Sequence, residues 1–176
     1  IYDYGLGAKE DKNKAIYWYK LASTHSHKIA QFNLAWMYYH GDKLEKNFFE
    51  AFRYYSLSAE QGYSKAQYNL GSMYDNGHGV AQDYSAAVKW YRMAADQEHA
   101  NAQYNLGGMY YEGKGVAQDD SAAMKWYRMA AGQGDAQAQC NLGFMYKNGQ
   151  GVAQEYSVAM KWYRMAADEG DAKAQC

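Results

Sequence analysis

Apolar residues recur along most of this chain at helical intervals. Ala66, Leu70, Met73 and Tyr74 fall at i, i+4, i+7 and i+8, which draws one apolar stripe along a helix. Gly71, beside Leu70, leaves room for a neighbouring helix to come close. Gly77 and Gly79 then break the pattern. Beyond them Ala87, Trp90, Tyr91, Ala94 and Ala95 fall at i, i+3, i+4, i+7 and i+8 and predict a second helix, with Asp83 or Ser85 placed to supply its capping oxygen.

This helix-turn-helix pattern repeats. NGHGVAQDYS from Asn76 returns as EGKGVAQDDS from Glu112 and NGQGVAQEYS from Asn148, a spacing of 36 residues. Ala30 to Lys65 is a worn earlier copy that keeps Asn33, Leu34, Met37, Tyr38, Gly41, Ala51, Tyr55 and Ala59. Gly5, Gly7, Ala15, Trp18, Tyr19 and Ala22 match the back half of another. The expected organisation is a single array: a partial repeat over 1–26, full repeats over 27–62, 63–98, 99–134 and 135–170, and the start of a further one over 171–176. That reads as a segment of a longer array. Two helices this short cannot bury their faces alone, so the copies are expected to stack, each repeat contacting mainly its neighbours.

Gly-X-Gly before a helix is also how phosphate-cradling loops look. Those loops follow a strand, and a P-loop needs a lysine that is missing here. These glycines join two helices, and the expected role is a helix-breaking turn.

The run AxxxLGxxYxxGxGVxxD followed by A, WY and AA resembles the Sel1-like repeat, an α/α relative of the tetratricopeptide repeat, over nearly the whole chain. Local departures are Ala35, where Gly71 stands later, and Lys43, which replaces the second turn glycine. The resemblance implies an all-α fold, an α/α solenoid forming a right-handed superhelix of 36-residue helix-turn-helix units. It further implies an adaptor, often bacterial and acting in signalling, at the envelope or towards a host, with ligands contacting the first helix of each pair in a concave groove. Some members are reported to interact with β-lactams or cell-wall fragments.

Copies that share one packing problem should differ where they do different work. The variable columns form a stripe on the first helix, away from its apolar face. Along the array it reads Ile29, Phe32, Trp36, Tyr39 and His40, then Lys65, Tyr68, Ser72, Asp75 and Asn76. It continues through Asn101, Tyr104, Gly108, Tyr111 and Glu112 to Gln137, Cys140, Phe144, Lys147 and Asn148. Grouped aromatics are the raw material of binding hot spots. The candidate partner-binding residues are therefore Phe32, Trp36, Tyr39, His40, Tyr68, Ser72, Asp75, Tyr104, Tyr111, Glu112, Phe144 and Lys147, with Phe32, Trp36 and Tyr39 as anchors. The competing expectation makes Phe32 and Trp36 core.

Composition narrows the partner. Of 176 residues 48% are hydrophobic, and 18 basic against 19 acidic residues give a net charge of -1, so no footprint for duplex nucleic acid or an anionic membrane is present. No run of 18 apolar residues occurs, and IYDYGLGAKE has no basic segment followed by an apolar one, so neither a membrane span nor a leader is expected. The absence of proline suits short helices joined by glycine turns.

Catalytic and metal chemistry find little support. Ser85 with Lys89, Ser121 with Lys125 and Ser157 with Lys161 could pair as nucleophile and base, but one site rarely appears in triplicate, and helix-start serines with exposed lysines are expected instead. His25 and His27 lack the companions of a metal site and read as an inter-repeat loop. Lys89, Arg92, Lys125, Arg128, Lys161 and Arg164 form a basic ladder, expected to be a solvated face because Asp83, Asp119 and Glu155 recur at the same period. Cys140 and Cys176 occupy equivalent columns; stacked helices about 8 to 10 Å apart disfavour a bridge that needs Cα atoms within about 7 Å, unless the C-terminal end frays.

The expected function is a non-catalytic scaffold that binds a peptide or partner protein, needing no metal or cofactor and capable of end-to-end self-association through its uncapped ends. The alternatives are a small-ligand or cell-wall-fragment binder and a structural spacer.

Overall fold

The computed structural model describes residues 12–168. Gly5, Gly7, Cys176 and the expected repeat start over 171–176 lie outside them. The described residues form α1 (Lys12–Thr24), α2 (Lys28–His40), α3 (Phe48–Glu60), α4 (Ser64–Asn76), α5 (Tyr84–Ala95), α6 (Ala100–Glu112), α7 (Asp120–Gly132), α8 (Ala136–Asn148) and α9 (Tyr156–Asp168), with no strand among them. The chain divides between Asp83 and Tyr84 into two compact units. α1 to α4 belong to unit 1 and α5 to α9 to unit 2, and within each unit helices pack on their sequence neighbours.

Each element starts and stops for a local reason. At α7 the Asp119 carboxylate accepts from the Ala122 N–H at 2.9 Å, which settles the capping choice there in favour of the aspartate column. Asn47 does the same for α3. The first helices are capped from a column of their own: Asp135 accepts from the Ala138 N–H at 2.8 Å, and the His27 and His99 rings accept from Ala30 and Ala102. His27 is therefore an N-cap rather than mere loop.

The glycine turn has two jobs. Gly77 ends α4 in the left-handed region at φ 69° and donates its N–H to the Met73 carbonyl. Gly79, at φ 74°, lies so close to the start of α3 that a Cβ there would stand 2.3 Å from the Phe48 carbonyl oxygen. Gly115 repeats this in unit 2, at 2.3 Å from the Tyr84 carbonyl oxygen. The motif ends one helix and presses its second glycine against the preceding pair.

Cores follow the predicted stripes. Leu34 and Leu70 in unit 1, and Leu106 and Leu142 in unit 2, are at most 1% exposed, each contributing about 2 kcal/mol of burial. Buried glutamines support them from within. Gln67 donates to the Ala59 carbonyl at 3.2 Å, Gln103 to Ala95 at 3.1 Å and Gln139 to Ala131 at 3.2 Å, so each adds a side-chain donor to a carbonyl at the end of the preceding helix, beside the backbone N–H of Gly62, Glu98 or Gly134. Gln103 in turn accepts from Gln133 at 2.8 Å.

Two expectations need correction. The basic ladder is not merely solvated, because Arg92 donates to the Tyr110 hydroxyl and Arg128 to that of Tyr146 at 2.7 Å, tying a second helix to the following first helix. Cys140 is disulfide-bonded, against the expected unbridged thiol. The serines also act between repeats: Ser85 donates to the Gly115 carbonyl at 3.3 Å.

Candidate first-helix binding faces

In unit 1 the variable stripe of α2 is a connected aromatic cluster. Trp36 is 41% exposed, although its chain neighbours Ala35 and Met37 are buried. Its ring lies 4.6 Å from that of His40, which is exposed and in turn stacks edge-on against Tyr39. Phe32 is half-buried between Tyr55 at 5.7 Å and Tyr63 at 5.1 Å. The two anchors named with it thus differ: Phe32 and Tyr39 brace the face, and Trp36 projects from it.

Tyr39 reaches into the next turn. Its hydroxyl shares a 3.0 Å hydrogen bond with His78 Nδ1, and the His78 ring stacks on Phe48 at 4.7 Å with the planes only 6° apart. Lys46 lies over the same Phe48 ring at 4.7 Å. His78 and Lys46 in the turns and Phe48 at the start of α3 were not among the expected site residues. Their signal was present, since His78 sits at the X of Gly-X-Gly. Tyr68, Ser72 and Asp75 on α4 are all half-buried.

The unit 2 stripe is less aromatic and more polar. Tyr104 is half-buried, 5.8 Å from Tyr127, and Asn141 works against the burial that raises both hydroxyls. Tyr111 donates to Gln150 Oε1 at 3.3 Å, repeating the Tyr39 contact with glutamine in place of histidine. Glu112 pairs with Lys114, and on α8 Phe144 is 47% exposed beside exposed Lys147.

Burial raises the Tyr55 and Tyr127 hydroxyls above their ordinary value, helped by Tyr39 beside the first and Tyr104 beside the second. Their surroundings differ. Asn141 offsets part of the effect of burial on Tyr127, whereas the Tyr55 hydroxyl is buried with no hydrogen-bond partner among the described residues. The helix opposite explains the change of seat: a Cβ at Gly107 would meet Tyr127 Cδ1 at 2.7 Å, and in the equivalent column of α2 Ala35 carries that Cβ. Among the described residues no group of three or more histidines, cysteines or carboxylates stands together as metal ligands would. None of the described helices is long and apolar enough to cross a membrane.

The Sel1 repeat family model matches residues 1–27, 28–63, 64–99, 100–135 and 136–171. Two solved structures are similar over nearly the whole chain. One is a protective antigen present in uropathogenic Escherichia coli strains and displaying an SLR fold, at 36% identity and TM-score 0.93, covering 99% of this chain and 37% of its own. The other is a Sel1 repeat protein from Oxalobacter formigenes, at 35% identity and TM-score 0.92, covering 98% and 71%. Helicobacter pylori cysteine rich protein B is more distant, at 26% identity and TM-score 0.57 over 73% of this chain and 92% of its own. This chain therefore spans little more than a third of the length of the Escherichia coli antigen it matches. No curated protein sequence matches it significantly. Sel1 repeat proteins are in general protein-interaction scaffolds. With five matched repeats, all-helical units and solenoid relatives at high TM-score, the chain has the α/α-solenoid fold and belongs to the Sel1 repeat family.

Proposed function

We propose that the chain is a non-catalytic adaptor that binds a segment of a partner protein on the α2 face of unit 1, with Trp36 as the inserted anchor. The observation that carries this is the exposure of Trp36, 41%, on a helix whose other face is fully packed. A large aromatic in that position is costly to leave in water and is the residue type most enriched in hot spots, worth about 2 kcal/mol or more when buried by a partner. Exposed His40 and Ile29 flank it, and Phe32 and Tyr39 hold the surface beneath. Tyr68, Ser72 and Asp75 extend the face in unit 1. Tyr104, Tyr111, Glu112, Phe144 and Lys147 offer a second, more polar face in unit 2.

The test is affinity capture from the source cell with the parent chain and a Trp36→Ala variant. Because Phe32 and Tyr39 also pack internally, they are left intact, and circular dichroism checks that the variant is folded. A protein retained by the parent and lost with Trp36→Ala supports the reading. Equal retention by the folded variant contradicts it.

A further inference from the structure

A different face of unit 2 points to a second docking surface. The second helices α5, α7 and α9 each carry Lys-Trp-Tyr-Arg-Met, and each turns its lysine and methionine outward: Lys89 and Met93, Lys125 and Met129, Lys161 and Met165. The methionines are 38%, 38% and 45% exposed. Among the described residues none of the three lysines forms an ion pair. Arg92 and Arg128 lie between the rows. They are held by Tyr110 and Tyr146, and Arg92 is also 5.9 Å from the Trp126 ring, which joins the outer faces of α5 and α7. A tyrosine hydroxyl orients a guanidinium without neutralising it. The acids sit at or just beyond the ends of these helices, Asp119, Asp120 and Glu155 at the starts, Asp96 just past α5 and Asp168 at the end of α9, so the middle turns are cationic.

We infer that this face docks an acidic, apolar segment of a partner protein, its carboxylates on the lysine rows and its apolar side chains on the methionines. Charge complementarity selects the acidic class. Methionine selects protein, being flexible and polarizable and able to follow varied apolar side chains. A lipid surface fits less well, since it favours outward tryptophan, phenylalanine and leucine, and here Trp126 is only 6% exposed while Trp90 and Trp162 are half-buried. Nucleic acid would want freely projecting rings to stack on, and none of these three is fully exposed.

The inference rests on helices other than α2 and stands apart from the Trp36 reading. Its test uses a fluorescein-labelled amphipathic peptide with glutamate and leucine on one helical face, its lysine-for-glutamate counterpart, and phosphatidylserine vesicles, with binding read by fluorescence polarization and co-sedimentation. The parent chain is expected to bind the acidic peptide in preference to both others. A Lys89→Gln, Lys125→Gln, Lys161→Gln variant should weaken binding about tenfold. A Met93→Gln, Met129→Gln, Met165→Gln variant, unchanged in charge, should weaken it by about threefold or more, and Trp36→Ala should leave it unaltered. Full binding by the methionine variant would reduce the effect to unspecific attraction and overturn the inference. So would binding of vesicles in preference to the acidic peptide, or binding of neither.

Discussion

In unit 1, α2 presents Trp36 to solvent beside a buried Ala35; in unit 2, the same two columns of α6 hold Gly108 and Gly107. Around these columns the frame is unchanged. Both units press a turn glycine against the preceding pair, close a buried glutamine on a helix-end carbonyl, and link a first-helix tyrosine to the next turn, through Tyr39 and His78 or Tyr111 and Gln150. What differs is the dressing of the first-helix face and the seat of one buried tyrosine. The comparison separates residues that hold the repeat together from residues free to specify a partner.

Frame changes should therefore cost alike in both units, and face changes should not. The largest effect is expected from Gly79→Ala and Gly115→Ala. Each sets a Cβ 2.3 Å from a backbone oxygen at positive φ, so each should cost roughly 3 kcal/mol in chemical denaturation, and a large inequality between them would break the shared-frame account. Next come Gln67→Ala and Gln103→Ala, which remove the side-chain donor to the Ala59 and Ala95 carbonyls and leave each with its backbone donor, Gly62 or Glu98, at about 1 to 1.5 kcal/mol each.

The tyrosine pair sharpens the contrast. Tyr127→Phe should cost about 1 kcal/mol by removing a hydroxyl that Asn141 favours, while Tyr55→Phe, which removes an unpartnered buried hydroxyl, should be within about 0.5 kcal/mol of neutral or stabilising. Equal costs would show that the two seats do not differ. Both hydroxyls are raised by burial, and the neutral phenol is the form the fold accommodates. Their contribution is thus fully present below the ordinary tyrosine value of about 10 and is lost as pH rises through it towards the folded value. Thermal melts from neutral to strongly alkaline pH should show the loss, and Tyr55→Phe should reduce it. Smaller than the frame changes is Trp36→Ala, expected to cost about 1 kcal/mol because its ring, 41% exposed, is only partly covered.

Much of this was legible in the chain. A period of 36 residues with two helical stripes and a glycine break yields the repeat, and Leu70, Met73, Tyr91 and Ala94 are buried where the stripes put them. The internal links were harder to read. Gln103 with Gln133, Arg128 with Tyr146, and Tyr39 with His78 join residues 30, 18 and 39 positions apart, and a helical wheel drawn for one helix holds no information about its neighbour. Their columns did recur at the repeat period, which is the signal that could have exposed them. The stripe of variable columns located the face. It could not divide projecting Trp36 from bracing Phe32, since that depends on Tyr55 and Tyr63 on other elements.

The central claim is that the frame is common and the α2 face of unit 1 selects the partner. The direct measurement places the photo-reactive residue p-benzoylphenylalanine at Trp36 in one chain and at the equivalent Gly108 in another, irradiates both in extract of the source cell, and compares the adducts by mass spectrometry. The account predicts a discrete partner adduct from position 36 that is absent from position 108. The same adduct from both positions, or from position 108 alone, would contradict it.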